Sequence, residues 1–179
     1  MTSPESKITP KHYHLRLEPD MDRMDFSAMV TLRAVAEPSV DFIELDVLDL
    51  AVWSCRVRNG ENWSACRFSI DPAREKIRID LPEKTSGEIK IQIDYYGRIN
   101  SQMAGFYHST YRHCSGSETI AVTQFQESDA RRAFACMDHP LYKAQFTIEM
   151  IVDRDMTAIS NMPAASETQE PVGRKRVIF

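Results

Sequence analysis

Apolar and polar residues alternate along most of this chain, and a period of two marks strands that bury one face. Tyr13, Leu15 and Leu17 alternate with His14, Arg16 and Glu18. After an acidic turn containing Pro19, Asp20 and Asp22, the pattern continues through Phe26, Ala28, Val30, Leu32 and Ala34. Further strands are predicted at 40–47, 51–57, 65–70, 76–81 and 88–96. The clearest signal is Ile77, Ile79 and Leu81 followed by Ile89, Ile91, Ile93 and Tyr95, with P-E-K-T-S-G at 82–87 predicting a hairpin turn between them. Alternation weakens over 101–118, resumes at 119–125 and 145–152, and a last pair is expected at 157–161 and 174–179. Ser128 or Asp129 ahead of A-R-R-A-F-A-C predicts one short helical turn near residues 129–135. The pattern predicts an all-β fold, an antiparallel saddle-like β-sandwich filling residues 1–179 as a single domain. Because 174–179 reads as the opening of a strand, the chain is expected to be a fragment of something longer.

Composition narrows the function classes. The 179 residues are 42% hydrophobic and 27% charged with a net charge of −4, values of an ordinary globular domain and not of a disordered chain. The one dense basic cluster is Arg174-Lys175-Arg176, too little for a nucleic-acid-tracking surface, and no apolar run is long enough to span a bilayer. Residues 1–11 are polar and offer no secretory signal. Cys55, Cys66, Cys114 and Cys136 lack metal or disulfide spacing, so reduced and mostly buried thiols in a cytoplasmic protein are expected.

Catalytic sets are missing. None of His12, His14, His108, His113 and His139 is followed by Glu, so there is no H-E-x-x-H zinc helix. His12 and His14 share a strand face without a third ligand and are expected as an exposed pair. Cys136 and His139 evoke a nucleophile and base, but a Cys beside Phe134 and Met137 reads better as a packed thiol. No phosphate loop and no G-x-S-x-G elbow is present. The expectation from chemistry alone is a non-catalytic β domain with no catalytic and no metal residues.

One segment is more specific. Residues 123–140 read T-Q-F-Q-E-S-D-A-R-R-A-F-A-C-M-D-H-P. This resembles the T-Q-F-E-x-T-D-A-R-R-x-F-P-C-F-D-E-P signature in the N-terminal domain of aminopeptidase N-type zinc aminopeptidases, the gluzincin family. Lys143-Ala144, Ser160-Asn161-Met162-Pro163, G-F-Y-H-S-T-Y at 105–111 and the opening Pro10, Tyr13, Leu15, Leu17, Pro19 and Asp20 are similar to further family motifs. The resemblance covers nearly the whole chain.

The resemblance implies a β-saddle domain that packs on a zinc peptidase catalytic domain, in cis or in trans. Zinc is expected in that missing domain, and no cofactor in this chain. It further implies that Gln124 and Gln126, at the Q-x-E positions, line the substrate pocket and hold the α-ammonium of a peptide N-terminus. A charge-assisted hydrogen bond to that ammonium rewards a free amino terminus. Gln126 stands where the family carries a carboxylate, which weakens the expected anchor by about tenfold. Ala135, Met137 and His139 also depart from the signature and are expected to pack the loop, while Asp129, Arg131 and Arg132 are expected to cap and pair ions. The implied function is the substrate-pocket domain of an enzyme that removes N-terminal residues from peptides, inert alone. The alternative is a free-standing interaction module descended from such an enzyme.

Overall fold

A computed structural model describes residues 7–179; the polar stretch at 1–6, read above as lacking a signal, lies outside the described residues. Its strands in chain order are β1 (Ile8–Asp20), β2 (Asp25–Asp46), β3 (Leu50–Asn59), β4 (Asn62–Ala65), β5 (Arg67–Asp71), β6 (Lys76–Arg98), β7 (Gly105–His113), β8 (Gly116–Gln124), β9 (Gln145–Asp153), β10 (Ser166–Glu170) and β11 (Arg174–Ile178). Among the described residues one 3-10 turn, Ala130–Arg132, interrupts them. The fold is all-β, as the alternation predicts. A nine-stranded sheet runs β10-β11-β9-β1-β2-β6-β3-β4, with β5 also on β6, and β7 and β8 form a separate two-stranded ribbon.

The predicted hairpin at 82–87 does not form. β6 runs through it and pairs with the similarly long β2, from Asp25↔Arg98 to Asp46↔Lys76. The reason lies in β2, which is interrupted at the same level. Residues 37–39 of β2 lie opposite Ser86 alone, and residues 81–84 of β6 lie opposite Asp41 alone. Such reciprocal bulges bend a strand pair without ending it, so the Pro and Gly that suggested a turn mark a shared corner instead. On one side of it the pair is flanked by β1 and β3, and on the other by β5. Both halves feed one continuous core: Val30, Leu32, Ile91, Ile93 and Tyr95 from one, Ile43, Leu45, Ile77 and Ile79 from the other.

Other elements also depart from expectation. The stretch 101–118 contains β7, whose side chains are mostly exposed, so no burial rhythm marks it. The last strand pair is β10 with β11, and 157–161 forms no strand. β9 pairs parallel with β1, from His12↔Gln145 to Leu17↔Met150, an exception to the antiparallel pattern. It brings His12 and His14 beside β9. They are half-buried rather than exposed, with Nε2 2.9 Å from Thr147 Oγ1 and 3.0 Å from Glu149 Oε2 respectively.

Close approach fixes one glycine. A Cβ on Gly97 would sit 2.2 Å from the ring of Phe26, which fills that space edge-on to Tyr95 and Phe106.

Candidate functional site

The signature segment leaves β8, turns at 126–129, passes through the 3-10 turn and returns to the main sheet. Aromatic side chains seat it first. Phe134, 3% exposed, lies edge-on to the rings of Tyr13, Phe125 and Phe146 at 5.7, 5.9 and 6.1 Å. Two buried tyrosines then supply polar anchors: Tyr95 donates its hydroxyl to the Ala133 carbonyl at 2.9 Å, and Tyr13 accepts from the Met137 amide at 3.1 Å. Burial raises the pKa of both phenols, so both stay neutral hydrogen-bonding groups. Cys136 completes the seating through a backbone bridge, with Asp46 and Cys136 exchanging amide-to-carbonyl bonds of 2.7 and 3.1 Å.

Arg131 ties the segment to the end of the long ribbon. Its Nε donates to Asp138 Oδ2 at 3.0 Å, Nη1 to Glu75 at 2.8 Å, and Asp46 lies 3.6 Å away. Asp46 in turn accepts from the Asp138 amide at 2.9 Å and from Lys76 Nζ at 2.5 Å. Burial disfavours the Arg131 cation, but the hydrogen bonds and charges of Asp138, Asp46 and Glu75 outweigh it and raise the pKa. The neighbouring Arg132 bonds outward to Asp129 at 3.0 Å and Asp49 at 2.5 Å. Ion pairing is therefore as expected for Asp129, Arg131 and Arg132. Capping is not: Asp129 holds the N-cap position without a side-chain cap bond, and its Oδ1 accepts from Arg132 instead.

The β7–β8 ribbon is clamped onto this turn at Gly105, where a Cβ would lie 2.5 Å from Arg132 Cβ and where φ is +68°. Gln124, the last residue of β8, sits opposite Gly105 and is exposed. Gln126 opens the turn at 126–129 and is also exposed. Phe125 between them points inward onto Phe134, and the Asp129 amide closes the turn on the Phe125 carbonyl at 3.2 Å. Among the described residues neither glutamine side chain has a protein hydrogen-bond partner. The structure thus leaves Gln124 and Gln126 both on solvent, on either side of the inward-facing Phe125. Glu127, next in the same turn, is an exposed carboxylate that the motif comparison passes over.

Among the other signature departures, Ala135 is fully buried and Met137 partly so, as expected. His139 packs only on its own loop, its ring edge-on to Tyr142 at 6.1 Å. It is exposed, and its Nδ1 accepts the Leu141 amide at 3.3 Å. Asp46, Glu75 and Tyr95, all distant in sequence, are seating residues that motif reading misses; of the carboxylates around Arg131 only Asp138 lies within the signature.

The thiols form no nucleophilic set. Burial pushes Cys55 up to about 12 and Cys136 well above the usual thiol range. Cys114 is exposed, unlike the mostly buried thiols expected. A disulfide-exchange reagent at pH 8 is expected to titrate Cys114 at once, and Cys55 and Cys136 only on unfolding. Prompt labelling of Cys136 in folded protein, read by peptide mass mapping, would contradict its burial. Among the described residues no group of three or more His, Cys, Asp or Glu side chains is arranged to hold a metal ion.

A β-sandwich carrying this seated signature defines the class of the chain. The sequence profile of the peptidase M1 N-terminal domain matches residues 9–179, and the chain belongs to that family. It is 35% identical over 160 residues to aminopeptidase M1-C of Oryza sativa subsp. japonica, covering 89% of this chain and 18% of that protein. It is 32% identical over 174 residues to the puromycin-sensitive aminopeptidase of Caenorhabditis elegans, covering 94% and 18%. With endoplasmic reticulum aminopeptidase 2 of Bos taurus it shares 33% over 168 residues, covering 87% and 17%. The chain therefore spans less than a fifth of the length of these relatives.

Proposed function

We propose that this chain is the substrate-pocket domain of a zinc aminopeptidase that removes N-terminal residues from peptides, and that it is non-catalytic by itself. The observation that carries the reading is the pair Gln124 and Gln126, exposed and without protein partners on a turn held by Phe125, Phe134 and Arg131. An amide oxygen fixed in that way meets an ammonium without first ordering its own backbone. Membership of the peptidase M1 N-terminal family and similarity to aminopeptidases support the same reading. The described residues do not fit a zinc site, since His12 and His14 are engaged by Thr147 and Glu149. Zinc belongs in this reading to a separate catalytic domain that the family joins to this one, and no step here runs through it.

The whole of residues 1–179 acts as one domain in this proposal, meeting the catalytic domain in cis or in trans and placing its glutamines at the substrate's amino terminus. The cytoplasm is its proposed compartment, and fractionation of the tagged protein tests that. Among the described residues no helix is long and apolar enough to cross a membrane.

Gln126→Glu in the full-length enzyme is the direct test. A carboxylate in place of the amide adds charge to the bond with a free ammonium, so KM for free-amino peptides is expected to fall about tenfold. Amino-terminally acetylated peptides, which carry no ammonium, serve as the comparison in competition binding and gain nothing. An unchanged KM would place Gln126 away from the ammonium. The isolated chain is expected to release no chromophore from an aminoacyl anilide, and chelator-sensitive release by pure chain would overturn its non-catalytic role.

A further inference from the structure

The outer face of the main sheet carries a row of cations that no motif announces. Register places His12 of β1 opposite Arg33 of β2, Arg33 opposite Lys90 of β6, and Lys90 opposite Arg58 of β3. Adjacent strands lie about 4.8 Å apart, so four cationic or protonatable side chains stand across roughly 14 Å of sheet. Like charges directly opposite one another destabilise a sheet, and here the arrangement repeats at each step from β2 to β3.

Local carboxylates do not neutralise it. Among the described residues Arg33, Lys90 and Lys11 make no salt bridge, and Arg58 donates only to the Gly60 carbonyl at 3.0 Å. Lys90 Nζ lies 5.8 Å from the centre of the Trp63 ring. The bulge in β1 between Pro10 and His12 adds Lys11 to the same place. The four cations Lys11, Arg33, Arg58 and Lys90 line a cleft of about 430 Å³ that contains one carboxylate, Glu88. His12 registers the field: its pKa is lowered by burial and then by the charges of Arg33, His14 and Lys90. The setting is a chain with net charge −4, so the patch opposes the molecule's overall sign.

We propose that this cleft is a binding site for a compact phosphate-bearing polyanion, held by Arg33, Lys90, Arg58 and Lys11. Its position in the sheet selects the chemistry. Here the backbone groups of β1, β2, β6 and β3 are committed to ladder hydrogen bonds, so an extended peptide has no free edge to add to. What remains available is side-chain charge and the planar donor forks of Arg33 and Arg58, which suit phosphate oxygens. The cleft is the size of a small-ligand site, whereas a long nucleic acid demands a stripe extending beyond it. The site is separate from Gln124 and Gln126, and its test does not depend on peptidase activity.

Titration calorimetry of the 179-residue chain with inorganic tripolyphosphate at low ionic strength tests the proposal. One saturable site is expected, weakening as salt is added. Arg33→Gln and Lys90→Gln are each expected to weaken it about tenfold, while Arg23→Gln, on a remote turn, leaves it unchanged. Both cleft variants are expected to melt at or above the wild-type temperature, because each removes a like-charge opposition. Vesicles bearing phosphatidylinositol bisphosphate separate the two sources of phosphate. Binding that needs Arg33 and Lys90 identifies a lipid headgroup, and tripolyphosphate binding without vesicle binding identifies a soluble anion. The proposal is overturned if folded chain does not bind tripolyphosphate, if Arg23→Gln weakens binding as much as the cleft variants, or if an acidic peptide or oligonucleotide binds in its place.

Discussion

Replacing Arg131 with methionine is expected to destabilise the chain by about 3–5 kcal/mol, the cost of breaking a buried ion pair by removing one partner. The magnitude follows from what stays behind. Asp46 and Asp138 keep side chains only 11% and 9% exposed, and each loses its guanidinium neighbour. Lys76 still reaches Asp46, but among the described residues Asp138 retains only the backbone amide of residue 131 at 3.2 Å. The comparison is Arg132→Met, whose partners Asp49 and Asp129 are 70% and 26% exposed, both more open to water than Asp46 and Asp138. Exposed pairs contribute about 0–1 kcal/mol, so two adjacent arginines of one motif are expected to differ several-fold in effect. Urea unfolding of both variants checks this, and equal losses would sink the claim that Arg131 is the hub.

Phe134→Ala is expected to cost a similar 3–5 kcal/mol or so, the range for truncating a buried aromatic. Phe134 is 3% exposed and meets three rings contributed by β1, β9 and the residue following β8. Its loss leaves Phe125 without the surface it packs on, and Phe125 sits between Gln124 and Gln126. Amide hydrogen exchange at 125–129 is therefore expected to accelerate by more than the global loss accounts for, because the turn opens locally before the sheet does. If the turn exchanges no faster than β2 and β6, Phe134 acts on the core alone and does not seat the glutamines.

The two experiments bear on function through position. In the proposed function the glutamines work because their backbone is fixed before substrate arrives. Variants that loosen the turn are expected to weaken the full-length enzyme without altering either glutamine.

Strand content was legible because burying one face of a sheet imposes a period of two, and Tyr13, Leu15, Leu17 and Ile89, Ile91, Ile93 obey it. β7 was not, since a ribbon exposed on most of its length writes no such rhythm. The hairpin expected at 82–87 failed for a different reason. Pro and Gly mark a departure from regular pairing, and whether the chain reverses or merely bends depends on β2, forty residues earlier and bulged at the same level.

The basic residues show the division most clearly. Arg174-Lys175-Arg176, the dense cluster of the linear sequence, is neutralised in the fold by Glu18, Glu149, Glu167 and Glu170. Lys11, Arg33, Arg58 and Lys90, scattered over eighty residues, become neighbours through strand register. By itself the sequence determined the all-β class, the signature segment and the two glutamines within it, because those depend on local periodicity and on short contiguous motifs. The tertiary structure alone decided the bent ribbon, the Asp46, Glu75 and Tyr95 contacts that seat the signature, and the cationic cleft. Each of these depends on pairing between distant strands, and no local stretch of sequence encodes which residues register brings face to face.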